Sequence, residues 1–268
     1  MLRSLKDLEG YAVSATDGDI GKVANFLLDD ERWAIRYLVV HAGGFFSDRH
    51  VLITPISFRQ IDWASRSFHL ALTRDKVKLS PSVDTDKPVF RQHESTLFGY
   101  YGYPYYWGNP GLWGAASSPG LLAAERLYET PPAPEALSGD SHLRSAREIR
   151  GYQIRATDAT AGQIEDFIID DETWEIRYLV IDTGSWWKGK KVLIAPRWTR
   201  SISWADGIVL LDLSQEAIKK SPAWNPNAPI NREYEARLYD YYGQPVYWNE
   251  NDRLPKPAPM PRDLEPPT

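Results

Sequence analysis

The chain has 268 residues, enough for one large domain or two small ones, and its 43% hydrophobic and 25% charged content is that of a globular protein in water. A net charge of -5 gives no general attraction to phosphate backbones or anionic lipid, so no nucleic acid is expected as a partner. Zero cysteines exclude disulfides, thiolate catalysis and thiolate metal sites. There is no leader-like apolar segment in "MLRSLKDLEG" and no uninterrupted apolar run of about 18 residues to span a membrane, so a cytoplasmic protein is expected.

Along the chain, short β-rich runs alternate with turn chemistry, the pattern of a small all-β barrel. Strands are predicted near Tyr11–Ala15, Lys22–Asp29, Ala34–His41, His50–Pro55, Ser57–Asp62 and Ser67–Leu72. "TDGDIG" and "DDERW" supply the first two turns, because Asp and Gly accept the backbone angles and side-chain bonds of tight hairpins. "LTRDKVKLSP" reads as one or two helical turns with Thr73 as N-cap and Pro81 as stop. A second helical stretch, "RQHESTLFGYYG", follows.

On the strand Ala34–His41, Ile35, Tyr37 and Val39 share one face and Arg36, Leu38 and Val40 the other. The first set suits a barrel interior. Leu38 and Val40, with Leu179 and Ile181 in corresponding places further on, then need a cover: the following helix, another part of the chain, or another molecule.

From Gly108 to Ser141 the chain is rich in Gly, Pro, Ala and Ser and reads as a linker with one short helix near Leu121–Tyr128. Beyond it the sequence begins again. "DDERWAIRYLVV" from Asp29 returns as "DDETWEIRYLVI" from Asp170, and an offset of 141 aligns Leu2–Trp107 with Leu143–Trp248 without a gap. Roughly 40 of about 106 pairs are identical, which marks an internal duplication. The expected organisation is a barrel at 1–81, a helical and aromatic extension at 82–107, a linker at 108–141, a second barrel at 142–222, its extension at 223–248 and a Pro-rich tail at 249–268.

The pattern G-Y-x-V-x-A-T-D-G-x-x-G-K-V-x-x-F-L-L-D-D, then W-x-I-R-Y-L-V-V and V-L-I-x-P, resembles the PRC-barrel family, named for the cytoplasmic domain of the photosynthetic reaction centre H subunit. The likeness covers about Leu2–Pro81 and Leu143–Pro222. It implies an all-β fold of two small barrels in tandem, each followed by short helices and a Tyr-rich extension ("YYGYPYYW" and "YYGQPVYW"). It also implies a scaffold that binds protein and is not an enzyme. Reaction-centre H subunits and a ribosome maturation factor share the barrel, so an accessory role in photosynthetic electron transfer or a ribosome-linked role are alternatives. Neither the membrane helix of the former nor the leading domain of the latter is read in these 268 residues, so neither specific role is expected to carry over.

Residue chemistry adds little catalysis. "GSWWKGKK" (Gly184–Lys191) imitates a phosphate-binding loop but lacks the Ser/Thr for Mg²⁺ and the following helix. Its counterpart is "GGFFSDRH". The two loops thus place Phe45 and Phe46, and Trp186 and Trp187, as candidate protein-binding anchors or as plugs of the barrel ends. Asp29-Asp30-Glu31 and Asp170-Asp171-Glu172 lack Ca²⁺-loop spacing and read as solvated turn acids, one of which pairs with Arg36 or Arg177. The five histidines show no metal spacing, and no serine sits in a nucleophile elbow. The Tyr-rich extensions either stack bases or cover the barrel's outer face around Leu38 and Val40, the second being favoured by the acidic balance. No metal or cofactor is expected. The expected partners are an unidentified protein and the chain's own second repeat, which would pair with the first as a pseudo-dimer; a homo-oligomer is a further option.

Overall fold

A computed structural model of the protein describes residues 1–43, 49–81, 91–107, 109–125, 142–184 and 189–248. In the first repeat β1 (Leu2–Ser4), β2 (Ala12–Ala15), β3 (Gly18–Asp29), β4 (Ala34–Ala42), β5 (Arg49–Ile53), β6 (Phe58–Asp62) and β7 (Ser67–Leu70) precede α1 (Arg74–Lys78) and α2 (Arg91–Tyr101). After α3 (Pro119–Glu125), the second repeat opens with β8 (Leu143–Ser145), α4 (Ala146–Ile149) and β9 (Gln153–Arg155). It continues through β10 (Thr160–Asp170), β11 (Ile176–Asp182), β12 (Lys191–Ile194), β13 (Thr199–Ser203), β14 (Ile208–Leu211), α5 (Gln215–Lys220) and α6 (Arg232–Tyr241). The class is all-β, as expected. Among the described residues no helix is long and apolar enough to cross a membrane.

Two seven-stranded sheets form. One runs β5-β4-β3-β2-β7-β6 with β8 beside β3, and the other β12-β11-β10-β9-β14-β13 with β1 beside β10. Neither is closed among the described residues. The edge strands β5 and β6 are consecutive, joined by the 3-10 turn Pro55–Ser57, and the second repeat has Pro196–Trp198 in the same place. Proline offers no backbone donor to a ladder, so the corner turns without extending the pairing.

Local chemistry explains the repeated motifs. Asp17 Oδ1 accepts the Arg74 amide at 2.7 Å, and Asp158 Oδ1 the Gln215 amide at 2.8 Å, so the Thr-Asp pair in each repeat tethers the helix that follows β7 or β14. Those helices are N-capped by Thr73 and Ser214, whose hydroxyls accept the Lys76 and Ala217 amides, each at 3.2 Å. Gly21 is needed for close approach: a Cβ there would lie 2.0 Å from the His41 carbonyl oxygen on β4.

The chain divides into two compact units that do not follow the repeat boundary. The first takes the described residues of Arg3–Ile149, Met1, and Phe167–Arg177 from the second repeat; the other takes Arg150–Asp166 and the described residues from Tyr178 onward, with Leu2. In the first unit Phe68 stacks on Phe58 at 5.1 Å and meets Trp174 at 6.1 Å, and Phe26, Tyr37, Phe98 and Trp113 are fully buried. In the second, Tyr239 of α6 meets Trp198 edge-on at 4.9 Å, over a core that includes Ile154, Ile164, Val192 and Val209.

Within the first unit, residues of the two repeats pair directly. β8 lies antiparallel to β3, with Leu27 opposite Ser145 and Asp29 opposite Leu143. The Asp30 amide donates to the His142 carbonyl at 3.0 Å, and the Asp171 amide to the Met1 carbonyl at 2.9 Å. The Ile35 amide donates to the Trp174 carbonyl at 2.9 Å, and the Ile176 amide to the Trp33 carbonyl at 2.7 Å. Arg144 binds Asp30 at 2.9 Å and Arg3 binds Asp171 at 2.6 Å. Adding 141 to the first-repeat residue of each bond and subtracting 141 from its second-repeat residue converts one member of each pair into the other: the contacts are self-complementary, as across a two-fold axis.

The expected linker is folded in its described part. Trp113 is fully buried with its indole N–H donating to the Thr173 carbonyl at 2.7 Å, and Leu122 of α3 is buried too. A composition rich in Gly and Pro concealed two large apolar side chains that water disfavours.

Candidate functional site

The densest group of ionisable side chains begins at the β3–β4 hairpin. Asp29 ends β3 and its Oδ1 accepts the amides of Glu31 and Arg32, each at 3.0 Å, which closes the turn. Its Oδ2 receives Arg36 Nη2 at 2.7 Å and Nε at 3.1 Å. Arg36 is wholly buried and Asp29 2% exposed, so the expectation of solvated turn acids is corrected at this position. The sequence hid this because Arg36 points toward a cover supplied from far along the chain. Its guanidinium lies 3.9 Å from the Tyr106 ring centre and 4.7 Å from that of Trp113, while Nη1 donates to the Leu112 carbonyl at 2.8 Å.

Beside it, the buried Glu94 of α2 accepts from Tyr37 at 3.0 Å, from Arg91 at 3.0 Å and, closely, from the Tyr106 hydroxyl. His142, from the start of the second repeat, lies 3.0 Å from the same carboxylate. Burial alone would raise the Asp29 carboxyl, but the charge and hydrogen bonds of Arg36, the charge of His142 and the Arg32 amide hold it below the ordinary range. Asp30 is pushed up, chiefly by burial, against the pull of Arg144. Burial and the neighbouring Glu94 push the Tyr37 and Tyr106 phenols well above their usual value.

The second repeat keeps only part of this arrangement. In the first unit Asp170 Oδ1 accepts the Glu172 and Thr173 amides at 3.0 and 3.2 Å, yet Arg177 stands 3.9 Å from Asp170 and pairs instead with Glu175 at 2.8 Å. In the second unit Glu235 accepts from Tyr178 at 2.7 Å and Tyr247 at 2.9 Å and pairs with Arg232 at 3.0 Å. In both repeats a buried glutamate, Glu94 or Glu235, accepts from a strand tyrosine and from a tyrosine of the extension, and so anchors the extension to its sheet. Among the described residues, no three His, Asp or Glu side chains gather as metal ligands.

Residues 142–217 match the PRC-barrel domain family. The second repeat is thus similar to PRC-barrel domains. The first shares its sequence motifs and strand order, so the same fold occurs twice. A stretch of 98 residues is also 35% identical to an uncharacterized protein of Deinococcus radiodurans, covering 32% of this chain and 35% of that one. The chain thus spans about a third of the length of that relative.

Against the PRC-barrel frame, the residues singled out in the sequence separate into two sets. Leu38, Val40, Leu179 and Ile181 are fully buried by the chain itself, so they are core and not open to a partner. The extension meets β4 on both sides: Tyr106 packs on Arg36, while Tyr37, assigned to the interior, bonds Glu94 and meets Phe98 of α2 edge-on at 6.4 Å. The interior placement of Tyr37 is therefore corrected, since interior and extension side are both apolar and alternation alone cannot rank them. Phe45, Phe46, Trp186 and Trp187 lie outside the described residues.

The lysine of the phosphate-loop imitation is occupied. Lys190 Nζ donates to the Lys219 carbonyl at 2.6 Å and to the Ser221 carbonyl, burial lowers its pKa, and strand β12 follows. His142 was not singled out, because its role depends on Glu94 of the other repeat and no local motif announces it.

Proposed function

We propose that the protein is a non-catalytic scaffold that works by binding other protein, and that its two PRC-barrel repeats join as a pseudo-dimer through exchanged strands. The observation that carries the reading is the self-complementary pairing of Ile35 with Trp174 and of Ile176 with Trp33. Such reciprocity is what a fused ancestral homodimer retains. The ionisable cluster supports the absence of catalysis in a second way: Asp29, Arg36, Glu94 and Tyr106 saturate one another inside the core, where a substrate has no access to them.

The aromatic pairs Phe45-Phe46 and Trp186-Trp187 are the proposed anchors, because large rings bury much area at small entropic cost. The test is crosslinking capture from the native cells with the full chain and with a variant in which all four are serine. A specific protein retained by the first and lost by the second supports the reading. Equal recovery by both, or turnover of a small molecule by the purified chain, would contradict it.

A further inference from the structure

We propose that the same reciprocal pairing forms between two copies of this chain, giving a closed dimer in which the first repeat of each chain is completed by the second repeat of the other. The inference rests on the pseudo-dimer reading and adds the partner, a second copy of the chain. Every contact that completes the first repeat comes from residues distant in sequence. They include β8 on β3, Asn25 Nδ2 to Ser145 Oγ at 2.8 Å, Arg144 to Asp30, and His142 to Glu94. Those contacts are indifferent to which chain supplies the second repeat. The covalent connection between Glu125 and His142 favours pairing within one chain by keeping the second repeat near the first at an effective concentration of order millimolar.

Exchange of an identical element between copies therefore becomes competitive as protein concentration approaches that range, or when the connection is too short to let the two repeats meet. The reciprocity also sets the size of the product. Two chains satisfy both docking sites of both partners, so a dimer closes and no open chain of copies is required.

The natural sequence has no cysteine, so a single engineered pair reports the pairing without ambiguity. Full-length chains carrying Asn25→Cys and Ser145→Cys, half of them isotope-labelled, are refolded together at micromolar and near-millimolar concentration. They are then treated with a short thiol-bridging reagent. The expected result is an intrachain link in dilute samples and mixed-isotope interchain links in concentrated ones. The interchain fraction should rise at least in proportion to concentration, and rise further when residues 127–140 are deleted. Intrachain links at every concentration and in the deletion variant would overturn the proposal while leaving the strand pairing intact. No link of either kind in a chain that keeps its native circular dichroism would overturn the pairing as well.

Discussion

Arg36 and Asp29 set the residue-scale behaviour. A buried guanidinium deprived of its carboxylate is left with an uncompensated charge, so Asp29→Asn should cost about 3–5 kcal/mol in urea unfolding at neutral pH. The pH dependence has a definite sign. Asp29 titrates below the ordinary aspartate value of 3.8 in the folded chain, so its contribution is complete above that pH and is lost as the pH falls below it. The gap between natural chain and variant should narrow on going from pH 7 toward pH 3. Asp30 acts in the opposite sense, since its raised pKa makes ionisation a cost that protonation removes. At the alkaline end, Tyr37 and Tyr106 ionise in the unfolded chain near 10.0 but well above that in the folded one. Stability is present below pH 10 and lost as the pH rises past it. Tyrosinate absorbance should therefore climb in two stages, the buried phenols titrating only as the fold is lost; a single smooth rise with the far-ultraviolet signal intact would contradict their burial.

At the scale of elements, close backbone approach and packing decide what a substitution does. Gly21→Ala places a methyl 2.0 Å from the His41 carbonyl oxygen and should destabilise by about 1–3 kcal/mol or more. Gly43→Ala meets nothing within 4 Å and should stay within about 0.5 kcal/mol, so thermal unfolding of the pair separates steric need from a general glycine effect. Trp113→Ala empties a fully buried site against Arg36 and should cost about 3–5 kcal/mol by the same measurement. The central strands were legible because β-rich apolar runs are bounded by Asp and Gly turns, and α1 because Thr73 and Asp75 open it. β1 and β8 were not. Three residues, "LRS", carry no periodicity, and their partners sit in the other repeat, where no local signal reaches. The Asp29–Arg36 pair was visible as neighbours in sequence, but its burial came from Tyr106 and Trp113, which the strand's own pattern does not mention.

For the whole molecule, duplication read from the sequence became an exchange in the structure. A repeat that must bury the end of its β3–β4 hairpin finds a matching end 141 residues away, and each supplies the other with backbone partners at Trp33, Ile35, Trp174 and Ile176. The most direct test is to produce residues 1–125 and 142–268 as separate polypeptides and mix them at micromolar concentration, measuring mass by light scattering. The account predicts a one-to-one heterodimer whose formation is weakened by Arg144→Ala. Two folded monomers that do not combine would contradict it.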